Sequence, residues 1–282
     1  MKKKQNKVLW IVSILFLLTC SSPNQNLTFW QNTNVYSWNE YQANHSPENN
    51  EFQFLPTNLL IHAKSLDYPF AEWLLPYYEV YRPNPSPEKN AIKLGACLAD
   101  LSYLAIYEKN FWLRQYRNYA DSLKNSLYDN YKLPEFYDSY SENPDSMLIW
   151  VAATLGSLDL TLSTLQKKME LKHYVYFGAW LETLYIVAHS AAMKEDVSLF
   201  LKLQEHQSYL NFYQDFLKSI PSTKNLAYDV QWLQNQLLVT QKFNVWDSLE
   251  NQFKEKIYPL KEPVLNLLKS VTELRKKWIL EN

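Results

Sequence analysis

Residues 91–106, AIKLGACLADLSYLAI, place apolar side chains on almost every face of a helix. A helix that is apolar all round is typical of the centre of a bundle, because a surface helix keeps a polar face toward water. The segment therefore predicts a buried helix over residues 88–108. It also predicts an all-α fold, arranged either as a multi-helix bundle or as an irregular array of helical hairpins.

Helical periodicity continues on both sides of this segment. Lys109 and Asn110 allow a tight reversal into a second helix over residues 111–129, and so short a connection predicts an antiparallel hairpin. No segment shows the sustained alternation of apolar and polar residues that would demand a strand. Further helices are predicted at residues 143–169, 173–193, 196–219, 223–241 and 245–258, with a last helix after Pro263 that ends near residue 280.

The chain contains only three glycines, Gly95, Gly156 and Gly178, and each falls inside a predicted helix beside a small residue. Glycine in a helix interior costs about 1 kcal/mol relative to alanine. Close approach of two helix backbones would offset that cost, so we expect the glycines to lie at helix contacts. Neither a GxGxxG loop nor a Walker A loop can be written with these three residues, which excludes both phosphate-binding motifs.

The N-terminus resembles the export signal of a bacterial lipoprotein. Residues 2–7 are rich in lysine, residues 8–18 are apolar, and Leu-Leu-Thr leads into Cys20. This order predicts a lipoprotein-type signal peptide over residues 1–19, with Cys20 as the lipidated first residue of the mature protein. The apolar run is shorter than the roughly 20 residues that span a bilayer. The alternative is an ordinary secretory signal with an incidental cysteine.

Residues 20–58 are polar and rich in asparagine, and they predict a tether that links the lipid to a helical domain over residues 59–282. Aromatic residues scattered through the tether leave open that it docks on a partner. Ser21 and Ser22 after Cys20, with no acidic residue close by, resemble the sorting signal of lipoproteins in the outer membrane, and the resemblance implies that the protein faces the periplasm. The 28 basic and 29 acidic residues argue against nucleic-acid binding, which needs a basic face.

Four polar residues interrupt the apolar helices: Asp100, Asp159, Glu182 and His189. One interpretation makes them the site of a periplasmic ligand- or metal-binding protein or enzyme. However, Glu182 and His189 stand seven residues apart, unlike the Glu-x-x-His pairs of di-metal bundles. The favoured interpretation is a structural network, because buried polar groups are usually satisfied internally. Its expected donors are Tyr103, Tyr107, Tyr185, Arg114 and Arg117.

No catalytic residue and no cofactor are predicted. Ser190 follows His189 directly, and neighbours on a helix point in different directions. Cys97 has no basic neighbour within its apolar helix, which favours an inert thiol. Two tyrosine clusters near turns, at residues 77–81 and 137–140, are equally compatible with core and surface positions.

Three segments resemble a family of helical lipoproteins from Bacteroidota. They are Lys93-Leu94-Gly95-Ala96-Cys97-Leu98-Ala99-Asp100-Leu101-Ser102-Tyr103, Asp145-Ser146 and Gly178-Ala179-Trp180-Leu181-Glu182-Thr183-Leu184-Tyr185-Ile186. The likeness covers residues 90–190, and the chain departs from the family pattern at Ala96-Cys97-Leu98 and at Thr183. The resemblance implies an all-α fold and a location in the cell envelope, and it carries over no catalytic residue.

Together these features predict a lipid-anchored envelope protein that has no enzymatic activity and binds another envelope protein. The alternative is the periplasmic ligand- or metal-binding protein or enzyme built on the buried polar residues.

Overall fold

The computed structural model describes residues 56–127, 147, 151, 154, 170–194, 197–204, 214, 217, 218, 220, 223–247, 250 and 252–281. The predicted all-α class is confirmed, with one small sheet added. The predicted signal peptide over residues 1–19, Cys20, most of the tether, Asp159, Gly156 and the tyrosine cluster at 137–140 lie outside the described residues. In chain order the elements are α1 Pro56–Ser65, 3-10 turns Glu72–Leu74 and Tyr78–Tyr81, α2 Pro87–Ile106, α3 Asn110–Leu127, α4 Leu171–Lys194, α5 Lys224–Gln234, β1 Thr240–Asp247, β2 Gln252–Pro259, α6 Lys261–Arg275 and a π-helical turn Lys276–Leu280.

Helix α2 has clear start and stop signals. The Ser86 hydroxyl caps it by accepting a hydrogen bond from the Lys89 amide at 3.2 Å, and Pro87 occupies the first turn. Every residue from 90 to 105 is buried, as the apolar pattern predicts. The helix ends where Glu108 adopts a φ of 56°, the left-handed conformation that closes many helices.

Helix α3 packs back against α2 as the predicted antiparallel hairpin. The Cys97 thiol donates to the Tyr116 carbonyl oxygen at 3.3 Å, and the Asn90 amide donates to the Ser126 hydroxyl at 3.0 Å. Residues further along α3 therefore meet residues earlier in α2, which is the antiparallel arrangement.

Helices α2 and α4 cross with their backbones in contact at two glycines. A Cβ added to Gly95 would lie 1.8 Å from the Val175 carbonyl oxygen, and one added to Gly178 would lie 2.0 Å from the Ile92 carbonyl oxygen. Real Cβ atoms do not approach backbone oxygens this closely. The expected packing role is confirmed for Gly95 and Gly178.

The remaining helices surround this crossing. Helix α1 packs against α2 and α4, α6 packs against α4, and α5 packs against α6. The described residues 147, 151 and 154 of the predicted helix 143–169 are helical and buried, and residues 197–204 are helical as well. Helix α1 begins at Pro56, so the last three residues of the predicted tether, 56–58, are helical. Leu226, Val230 and Leu233 of α5 lie fully in the core, and so does Leu237 just beyond the end of the helix.

The helix predicted over residues 245–258 is wrong, and the one predicted over 223–241 ends early, at Gln234. An antiparallel hairpin replaces them, with Thr240 opposite Pro259 and Asp247 opposite Gln252. Aromatic and β-branched residues favour strands here, but apolar residues fall on both faces, so no clean alternation appears in the sequence.

The connection between the strands also lacks the usual hairpin signal, because residues 248–251 contain no glycine or proline. Side chains stabilise the turn instead. The Asp247 carboxylate accepts from the Glu250 amide at 3.3 Å, and Lys254 Nζ lies 3.0 Å from Asp247 and 2.5 Å from Glu250.

Candidate functional site

Of the four predicted site residues, the structure brings two together. Asp100 on α2 and Glu182 on α4 face each other across the helix crossing, and both are 0% exposed. His189 lies further along α4, near the surface, and Asp159 is outside the described residues.

The cation that pairs with Glu182 is Arg275, near the C-terminus. Its Nε donates to Glu182 Oε2 at 2.8 Å and its Nη2 donates to Oε1 at 2.5 Å, a bidentate contact. Nη2 also donates to the Leu74 carbonyl oxygen at 2.9 Å, and the guanidinium stacks 3.9 Å from the centre of the Tyr185 ring. Burial lowers the pKa of Arg275 and the Glu182 carboxylate raises it, with a net upward shift.

Asp100 is held by a tyrosine from a neighbouring 3-10 turn. The Tyr81 hydroxyl donates to Asp100 Oδ2 at 2.6 Å, while Oδ1 has no hydrogen-bond donor among the described residues. Burial raises the pKa of Asp100 well above its usual range, and the nearby Glu182 carboxylate raises it further. Tyr81, Asp100, Glu182 and Arg275 are called the buried ion cluster below.

Three of the five predicted donors, Tyr103, Arg114 and Arg117, are wrong, whereas Tyr185 contacts the network through its ring beneath Arg275. The Tyr103 hydroxyl accepts from the Ala71 amide at 2.9 Å, Arg117 pairs with Asp121 at 3.7 Å, and Arg114 is exposed. The true donors, Tyr81 and Arg275, come from a short turn and from the last helix. No sequence signal links positions so distant along the chain to Asp100 and Glu182, so sequence reasoning found the acids and missed their partners.

His189 belongs to a different environment. Its ring packs 4.4 Å from the Tyr185 ring and 5.8 Å from the Trp73 ring, centre to centre, and its Nε2 lies 3.3 Å from Thr272 Oγ1. Burial, with a smaller effect from Arg275, lowers the pKa of His189 to about 4. The imidazole is therefore neutral at neutral pH. The Tyr185 ring separates it from Arg275 of the buried ion cluster.

The described residues offer no group of three metal-ligating side chains that could hold a metal ion. Cys97 is buried, and burial raises the pKa of its thiol well above its usual range, which disfavours the reactive thiolate. The tyrosine cluster at residues 77–81 is divided: Tyr77 is exposed, whereas Tyr81 is buried in the ion cluster.

Three large apolar side chains lie exposed around His189. The contacts of Glu182 with Arg275 and of His189 with Thr272 show that α4 and α6 run in opposite directions. Met193 lies one turn beyond His189 on the same face of α4, and Leu265 lies two turns before Thr272 on the same face of α6. We call the set Trp73, His189, Met193, Leu265 and Thr272 the Trp73 surface. Its three large apolar side chains, Trp73, Met193 and Leu265, are all about half exposed or more.

Comparisons of the chain with protein-family models, with curated proteins and with solved structures gave no match. The resemblance to Bacteroidota lipoproteins therefore stays a prediction. None of the described helices combines the length and the apolar composition that a membrane span requires.

Proposed function

We propose that this protein is a lipid-anchored component of the bacterial cell envelope whose helical domain binds another envelope protein and performs no catalysis. The lipid is attached at Cys20 and inserts into the outer membrane, and the helical domain faces the periplasm. The observation that carries the binding role is the Trp73 surface, where a large aromatic ring is exposed yet fixed in orientation by its edge-to-face contact with His189.

Two features make the Trp73 surface suitable for protein binding. Tryptophan contributes a large area to an interface and loses little conformational entropy, which is why it dominates many binding hot spots. The five residues that define the surface carry no formal charge, because burial keeps His189 neutral and the other members are Trp73, Met193, Leu265 and Thr272, whereas the exposed Lys269 lies beside them on α6. Its partner accordingly presents apolar side chains to Trp73, Met193 and Leu265.

The alternative, a periplasmic ligand- or metal-binding protein or enzyme using the buried polar residues, has less support. Asp100 and Glu182 are 0% exposed, and Glu182 is already bound by Arg275 through two hydrogen bonds. A ligand would have to displace that ion pair, and breaking a buried pair costs about 3–5 kcal/mol. His189, the third residue of this hypothesis, faces the surface instead.

The partner is tested with the tagged full-length chain, extracted in gentle detergent from cells that express it natively. We compare the wild type with Trp73→Ala and with the control Phe111→Ala, since Trp73 and Phe111 are exposed aromatic residues, 59% and 74%. We expect one stoichiometric protein to co-purify with the wild type and the control and to be lost with Trp73→Ala. Retention should persist in high salt, because an apolar contact is not screened. Equal recovery from all three proteins, or a clean monomer in each, contradicts the proposal.

The anchor is tested separately by cell fractionation with a metabolic lipid label. Cys20→Ser should lose the label and leave the membrane fraction, whereas Cys97→Ser should keep both, since Cys97 is buried in the core. A labelled, membrane-bound Cys20→Ser protein would contradict anchoring at this residue.

A further inference from the structure

The buried ion cluster contains two carboxyl groups and one guanidinium, all within the core. Arg275 places both of its hydrogen bonds to the cluster on Glu182 and a third on the Leu74 carbonyl oxygen. If Asp100 and Glu182 were both ionised, the cluster would carry a net negative charge on side chains that are 0% exposed. Such a charge is costly to bury, and neutralisation is the usual outcome.

The hydrogen bonds around Asp100 indicate where a proton would lie. Oδ2 accepts from the Tyr81 hydroxyl at 2.6 Å, so that oxygen acts as an acceptor. Oδ1 is buried and has no donor among the described residues, although the Glu182 carboxylate is within hydrogen-bonding reach of the Asp100 side chain. Two carboxylates cannot hydrogen-bond unless one is protonated.

We infer that Asp100 is a neutral carboxylic acid at neutral pH, whose Oδ1 proton is donated to Glu182 and locks α2 to α4 beside their glycine crossing. The protonated form satisfies the orphaned oxygen, removes the net charge of the cluster and adds a hydrogen bond between the two central helices. Glu182 then accepts from Asp100 and Arg275 together.

The neighbours of Asp100 indicate that the extra proton of the buried ion cluster lies on Asp100. Glu182 is paired with Arg275, and burial raises the pKa of the Tyr81 hydroxyl and of the Cys97 thiol well above their usual ranges, so both stay neutral. The titratable and charged groups that face Asp100 come from the turn before α2 and from α2, α3, α4 and α6: Tyr81, Cys97, Tyr103, Tyr116, Glu182, Tyr185 and Arg275.

The protonation of Asp100 gives folding a pH dependence of known sign. In the unfolded chain an aspartate ionises near pH 3.9, whereas the folded protein keeps its proton to a higher pH. Over that window the folded state binds more protons, so stability falls as the pH rises. Above the folded pKa, both states are ionised and the dependence from this residue ends.

The test compares the unfolding equilibria of the wild type and Asp100→Asn between about pH 5 and about pH 9. Asparagine preserves both hydrogen bonds, because its oxygen accepts from Tyr81 and its amide donates to Glu182. We expect the unfolding constant of the wild type to rise relative to that of Asp100→Asn by up to about tenfold per pH unit until Asp100 ionises. Asp229→Asn is the control, since Asp229 accepts from Lys277 and Trp278 at 2.7 and 2.6 Å and should not show this trend.

A relative unfolding constant that does not change between about pH 5 and about pH 9 would mean that Asp100 is ionised in the folded protein over this range, and it would overturn the inference. Infrared spectroscopy of the wild type gives a second readout that does not depend on the folding of a variant. Native protein at neutral pH should show the carbonyl band of a protonated carboxyl group, and unfolding at the same pH should remove it. A native spectrum without that band overturns the inference.

Discussion

The α2–α4 crossing and the β1–β2 hairpin are held together in opposite ways. At the crossing, two backbones touch through Gly95 and Gly178, and every residue of α2 from 90 to 105 is buried. In the hairpin, the described side chains between residues 241 and 258 are exposed or half-buried, and ion pairs such as Lys242 with Glu255 at 2.9 Å link the strands. Burial at the crossing is therefore worth far more than the exposed pairs of the hairpin.

The comparison also explains where glycine is used and where it is absent. The two described glycines lie where any side chain would collide with a backbone oxygen. By contrast, the left-handed positions at Asp67 and Glu108 carry ordinary side chains, with φ values of 55° and 56°. The two described glycines serve close helix packing, and the described left-handed positions are tolerated without glycine.

Gly178→Val should produce the largest effect. Its Cβ would lie 2.0 Å from the Ile92 carbonyl oxygen, so the two central helices must separate and lose their packing. We expect a loss of more than about 5 kcal/mol in the free energy of unfolding, which is exceptional for one substitution. Denaturant unfolding checks this, with Ala192→Gly as a control that should cost only about 1 kcal/mol. A Gly178→Val protein close to wild-type stability would show that the crossing is not tight.

Glu182→Gln should have the next largest effect. It leaves the buried Arg275 guanidinium without its carboxylate, and breaking a buried ion pair costs about 3–5 kcal/mol. Chemical denaturation at neutral pH measures the loss. The matched variant Asp100→Asn should be far less destabilised, because it keeps the Arg275–Glu182 contact. Equal losses for the two variants would contradict the difference that we assign to the two acids.

Phe243→Ala tests the hairpin side of the comparison. Phe243 is 42% exposed and meets Tyr258 edge to face at 6.0 Å between ring centres. A cross-strand aromatic pair contributes about 0.2–1 kcal/mol, so the loss should stay within that range. Phe177→Ala, at a fully buried position of α4, should cost about 3–5 kcal/mol in the same assay. Similar losses at the two positions would show that the hairpin is as well packed as the core.

Glu108→Gly should have the smallest effect, and it should be stabilising. Glycine removes the left-handed strain at the end of α2, which stabilises the folded state by about 1 kcal/mol. It also increases the conformational entropy of the unfolded chain, which offsets about 0.5 kcal/mol of that gain. The expected gain is about 0.5 kcal/mol in the free energy of unfolding. Thermal melts of the two proteins measure it, and a clear loss of stability would show that the Glu108 side chain makes a stabilising contact.

The sequence predicts the helices of this fold better than it predicts the hairpin or the site. The boundaries of α2 follow from Ser86-Pro87 and from an unbroken apolar run, and both signals are local. The hairpin lacks a glycine turn and a clean alternation, so local pattern favours a helix there. The carboxyl groups of Asp100 and Glu182 stand out because they interrupt apolar helices. Their partners Tyr81 and Arg275 do not, because only tertiary packing brings them to the acids.

The most direct test of the central role of the α2–α4 crossing is native-state hydrogen exchange of the full chain, followed by mass spectrometry. We predict that backbone amides of α2 and α4 exchange only through global unfolding. Their exchange rates should therefore rise with denaturant as steeply as the global unfolding constant does. Amides of β1 and β2 should exchange through local opening, much faster and with little dependence on denaturant. Hairpin amides as slow as those of α2, or α2 amides that open locally, would contradict the account.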